Sequence, residues 1–137
     1  MKTQLRWQGG MQFLAEADSG HALVMDGPPD LGGRNTGVRP MEMILMGLGG
    51  CTGVDVVHIL KKSRQNVEDV DVKLSAERAD TDPKVFTKIH VHFVVKGEGL
   101  SEKHVARAVE LSAEKYCSAS LMLRATVEIT HSYELAA

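Results

Sequence analysis

Two cysteines, Cys51 and Cys117, are the side chains in this sequence best suited to do chemistry; they stand 66 positions apart (117 − 51). A thiol does redox work as thiolate, so it needs partial access and a nearby cation or helix N-terminus. At this separation the two can meet only through the tertiary fold. They are either inert thiols packed as small hydrophobes, the common fate of a free cysteine, or a redox pair. The cations that could serve Cys51 are Arg34 and Arg39, in the segment just before it. His90 and His92 share one strand face, a spacing that can hold a metal. No third ligand is evident beside them, and a solvated face is the plainer reading. No metal and no cofactor is expected. Asp55 and His58, three apart, read as a buried polar pair. Met41, Met43, Met46 and Met122 lie near the cysteine segments and fill core gaps or line a pocket for an apolar ligand.

These side chains need elements to hold them. Short apolar segments separated by Gly9-Gly10 and by Asp18-Ser19-Gly20 predict three strands with tight turns, since such turns need residues that tolerate positive φ. Gly27 to Gly37, rich in Gly and Pro, predicts a long loop with neither helix nor strand. Pro40 opens a helix at its tolerated first-turn position and runs to about Ser63. That helix is apolar nearly all round, the mark of burial on several sides. Gly47, Gly49, Gly50 and Gly53 crowd it around Cys51, at about 1 kcal/mol each relative to Ala. So many predict that a second backbone or a ligand comes close.

Val70 to Ala76, and Ile89, Val91, Phe93 and Val95 beyond a turn at Asp80-Thr81-Asp82-Pro83, alternate as a half-buried antiparallel pair. Ser101 reads as an N-cap. Val105, Ala108, Val109 and Ser112 then trace a helical stripe ending near Cys117. Ala125 to Tyr133 closes the chain as a strand. The order is three strands, long helix, two strands, helix, strand. That is α+β, a mainly antiparallel sheet with a long buried central helix and a second helix on one face. One small sheet and one helix cannot cover a helix apolar all round, so an obligate homodimer is expected.

Composition sets the bounds. The 137 residues make one domain, 1–137, with 43% hydrophobic and 25% charged residues. A net charge of −2 without clustered Lys or Arg argues against nucleic acid and against acidic membrane surfaces. Met1 to Arg6 has no apolar h-region, and the apolar run Met43 to Val54 is too short to span a bilayer. The expected location is cytoplasmic, where two cysteines are not a permanent staple.

The stretch Arg39-Pro40-Met41-Glu42, continuing through small and apolar residues to Gly49-Gly50-Cys51, resembles the helix opening of the OsmC/Ohr family. Those are the osmotically inducible and organic hydroperoxide resistance proteins. Ser112-Ala113-Glu114-Lys115-Tyr116-Cys117-Ser118 falls where that family carries its second cysteine. The resemblance covers essentially the whole chain and is nearest to the YhfA-like branch. It implies an OsmC/Ohr-like fold in an intertwined homodimer, and thiol-dependent reduction of organic or inorganic hydroperoxides in oxidative-stress defence. Cys51 would be peroxidatic and Cys117 resolving. Arg39 or Arg34 would lower the thiolate pKa, and Glu42 would orient the guanidinium by a bidentate pair. An external dithiol or lipoyl-type reductant would restore the thiols. One departure bears on activity: the peroxidatic branches usually have Cys-Pro, and here Ser118 follows Cys117. The alternative is a non-catalytic homodimer of the same fold that binds a small apolar ligand in the inter-subunit cleft.

Overall fold

A computed structural model describes residues 1–136 of the chain. It resolves into two compact units, Met1–Met46 and Gly47–Ala137.

In the first unit, β1 (Thr3–Trp7), β2 (Phe13–Ala17) and β3 (Ala22–Met25) form an antiparallel sheet in that order. The turns are where the glycines predict them: Gly9 and Gly10 at φ +93° and +54°, and Gly20 at φ +90°. The loop that follows is more ordered than its composition suggests. Pro29–Leu31 makes one 3-10 turn, and Met25 bridges Val38. The buried Asp26 carboxylate organises it, accepting from the main-chain N–H of Gly27 (2.8 Å), Arg34 (3.1 Å) and Thr36 (3.2 Å) and from the Thr36 hydroxyl. These bonds, the Thr36 hydroxyl first, outweigh desolvation and hold the Asp26 carboxyl down at about 2.

Helix α1 (Pro40–Lys62) begins in the first unit and continues into the second. Glu42 lies in its first turn and Lys61 and Lys62 in its last, complementing the helix dipole. It stops because Arg64 turns left-handed (φ +58°), with Arg64 and Gln65 N–H groups returning to the Lys61 and Leu60 carbonyls.

The second unit holds the other sheet, in the order β4 (Val67–Arg78), β5 (Phe86–Gly97), β6 (Glu128–Ala136). β4 and β5 are antiparallel, as their alternation predicts. β6 runs parallel to β5, because the chain crosses back through a helical connection long enough for parallel pairing. The buried face carries Ile89, Val91, Phe93 and Val95 of β5. Val105, Ala108 and Val109 of α2 (Glu102–Leu111) and Leu48, Val56 and Leu60 of α1 complete the core.

The expected helix from Ser101 does end near Cys117, but its last turn is not α-helical and a further short helix lies beyond it. α2 gives way to a π turn, Ser112–Tyr116, and a short α3 (Ser118–Leu123) follows. Nor does the Ser101 side chain cap α2; its main-chain N–H donates instead to Gln65 Oε1 at 2.9 Å.

The glycines of α1 divide by face. A Cβ on Gly49 would stand 2.6 Å from Leu74 Cδ1, and one on Gly53 3.2 Å from Val72 Cγ2. These two let the helix backbone settle on β4, which accounts for half of the crowding. Gly47 and Gly50 meet nothing within 4 Å. Within one chain, then, α1 is not buried all round. Leu48, Gly49, Thr52, Val56 and Leu60 are covered, while Gly47, Gly50, Val54 (70% exposed) and His58 are bare. At 23 residues, and with a window of mean hydropathy 1.7, α1 is long and apolar enough to cross a bilayer by length and composition alone, a test that core helices of globular proteins also meet. Its Gly49–Gly53 face is nevertheless committed to β4.

Candidate functional site

Cys51 lies in the part of α1 that crosses the second unit, half-buried. Cys117 is fully buried at the junction of the π turn and α3. The fold brings the two thiols within interaction range. Burial pushes the Cys117 thiol up from its ordinary value, the Ser120 hydroxyl and N–H pull it down, and the neighbouring Cys51 adds a further upward push.

A buried polar tie fixes that juxtaposition. The Ser112 hydroxyl lies 2.8 Å from Thr52 Oγ1 and donates toward Asp55 Oδ2 at 3.1 Å. The Ser112 carbonyl accepts the Cys117 N–H at 2.9 Å. Thr52 is the residue after Cys51, so one side chain and one carbonyl of Ser112 hold the main chain beside both cysteines. Asp55 accordingly partners Ser112, where its spacing suggested His58. Sequence reasoning placed Ser112 on a buried helical stripe but gave it no role. A hydroxyl at a core position of such a stripe is a signal, because buried polar groups need partners.

The other expected site residues lie in the first unit. Glu42 Oε1 accepts the Arg39 main-chain N–H at 2.8 Å and so caps α1, while Arg39 Nη1 donates to the Gly37 carbonyl at 3.1 Å. Arg34 contributes its main-chain N–H to Asp26 and leaves its side chain exposed. Among the described residues neither guanidinium forms an ion pair with Glu42.

Beyond Cys51, a groove of about 530 Å³ runs along α1. Asp55, His58 and Lys62 supply its polar side, and Ile59, Leu111 and Tyr116 its apolar side. On the opposite face of the sheet, Ser132 Oγ lies 2.7 Å from both His90 Nε2 and His92 Nδ1, and Thr130 Oγ1 lies 2.7 Å from His90 Nδ1. Hydroxyls thus engage these histidines, and among the described residues no cluster of three His, Cys, Asp or Glu could hold a metal.

Residues 33–132 match the family described as OsmC-like protein. The chain belongs to the OsmC family. It is 51% identical to Protein YhfA of Escherichia coli over 140 residues, spanning 100% of this chain and 99% of that one. The OsmC-family fold is also that of a hypothetical protein from Aquifex aeolicus. That crystal structure is 34% identical, with a TM-score of 0.87 over 98% of this chain and 95% of the other. The organic hydroperoxide resistance protein OsmC of Legionella pneumophila shares the fold at 22% identity and a TM-score of 0.73, over 98% and 97% of the two chains.

Proposed function

We propose that this OsmC-family chain is a thiol-dependent reductase of organic hydroperoxides that works as a cytoplasmic homodimer. The observation that carries the reading is the half-buried Cys51 beside the buried Cys117, held there by the Thr52–Ser112 tie. The Cys51 thiolate attacks the outer peroxide oxygen, the O–O bond breaks, and the alcohol leaves. Cys117 then displaces water from the Cys51 sulfenic acid to form the disulfide. An external dithiol or lipoyl-type reductant returns both thiols. Arg39 or Arg34 supplies the positive charge for the Cys51 thiolate, and Glu42 fixes the main chain of Arg39. The groove lined by Ile59, Leu111 and Tyr116 suits an apolar substrate tail. The bare stripe of Gly47, Gly50 and Val54 on α1 suits a second copy of the chain. The hydroperoxide resistance protein sharing the fold agrees with the reading.

The test is turnover of cumene hydroperoxide with a dithiol. Wild type is expected to be active and Cys51→Ser inactive; full activity in Cys51→Ser overturns the assignment.

Two observations favour a second reading, a non-catalytic homodimer binding a small apolar ligand in the same cleft. Burial pushes the Cys117 thiol up, toward the protonated and slow form, and Ser118 replaces the proline usual in peroxidatic relatives. Titrating the thiols of the folded protein separates the two. A strongly lowered Cys51 value belongs to the enzyme, and a value near the free thiol's, about 8.5, to the binder.

A further inference from the structure

We propose that Ser120 is a positioning residue for Cys117: its main-chain N–H holds the sulfur, and its hydroxyl turns to take up the charge whenever the Cys51–Cys117 disulfide is reduced. The proposal rests on the two-cysteine reading and assigns the direction of its reductive half.

Two features of the fold carry it. The Ser120 N–H donates to Cys117 Sγ at 3.4 Å, fixing the sulfur against the first turn of α3. The Ser120 side chain is 1% exposed, and its Oγ has no hydrogen-bond partner. A buried hydroxyl without a partner is rare and calls for a cause. A sulfur that is neutral in one state of the cycle and charged in another supplies one, because the hydroxyl is then needed only part of the time. The downward pull of this hydroxyl on the Cys117 thiol agrees with that placement.

Access sets the direction of attack. Cys117 is sealed from solvent and Cys51 is not, so the thiolate of an external dithiol reaches Cys51 Sγ. A mixed disulfide forms there, the Cys51–Cys117 bond breaks, and its electron pair leaves on Cys117 Sγ. The reductant's second thiolate then closes on its own first sulfur and releases Cys51. The dithiol ends as a disulfide, and the protein gains two electrons and two thiols. In such an exchange the leaving thiolate departs faster the lower its pKa. Without Ser120, the leaving group would be a bare sulfur anion in an apolar pocket.

The experiment uses the full chain and no hydroperoxide. The disulfide is formed with diamide and reduced with dithiothreitol under pseudo-first-order conditions, in wild type, Ser120→Ala and, as a control, Ser118→Ala. In a Cys51→Ser background, thiolate absorbance at 240 nm gives the Cys117 pKa. Ser120→Ala is expected to raise that pKa by about one unit, the worth of one hydrogen bond to a charged group, and to slow reduction about three- to tenfold. Ser118→Ala should do neither. Ser120→Gly also removes the hydroxyl and should shift both quantities in the same directions; it decides the matter if Ser120→Ala does not fold. Wild-type values of both quantities in a folded Ser120 variant overturn the proposal. Absence of hydroperoxide turnover in the wild type, with the Ser120 effects intact, counts instead against the peroxidase reading.

Discussion

Replacing Gly49 by Ala tests how α1 sits on β4. The new Cβ would stand 2.6 Å from Leu74 Cδ1, about 1 Å inside an ordinary carbon contact. Overpacking of this kind costs about 1–3 kcal/mol. The better helix propensity of Ala returns about 1 kcal/mol. The expected net is a loss of about 1 kcal/mol, read from urea unfolding. Since the clash is with the end of one side chain, it should vanish when that side chain is shortened. Leu74→Ala alone should cost about 2 kcal/mol, the lower end for a leucine that is only half-buried. In the Gly49→Ala background it should cost about 1 kcal/mol less. If the two substitutions add within about 0.5 kcal/mol, or if Gly49→Ala stabilises, then close approach to Leu74 is not the reason for the glycine.

Ser112→Ala should cost about 2 kcal/mol by stranding the fully buried Thr52 hydroxyl. Thr52→Val in addition should restore part of that, and disulfide closure after diamide should slow in the single variant. Asp26, with its folded pKa depressed to about 2, stabilises the loop fully above its unfolded value of about 3.9 and loses that as pH falls toward 2. In Asp26→Asn the acid unfolding profile should flatten across this window. Val54→Glu should place a charge on the bare face of α1 and yield a monomer in analytical ultracentrifugation; a dimer that survives it removes this face from the interface. Gly50→Ala, which would gain about 1 kcal/mol in a lone helix, should instead weaken association.

The elements whose pattern repeats locally were readable in the sequence. Alternation marked β4 and β5, paired glycines marked the turns, and Pro40 marked the start of α1. What escaped depends on distant partners. The π turn that ends the second helix follows from no local propensity, since Ser112 to Tyr116 is compatible with continuous α-helix. The loop from Gly27 to Gly37 looked loose because the one carboxylate that pins it, Asp26, sits just outside it. At the site, the cysteines stood out by type. Thr52, Ser112 and Ser120 did not, because short hydroxyl residues inside apolar stripes are indistinguishable from filler until their surroundings are known.

The π turn has a geometric meaning for the chain as a whole. Each residue of an α-helix advances its neighbours by about 100° around the axis, and a π turn takes up one extra residue within the turn. Ser112–Tyr116 therefore acts as a phase shift: it decides on which side of the axis Cys117 emerges. Deleting one residue there, Lys115 for instance, could heal the helix and leave every side chain chemically intact. It would also swing the sulfur about a quarter turn away from α1. In this fold the meeting of the two thiols is a matter of counting as much as of contact, and a one-residue change in length would undo it where many substitutions would not.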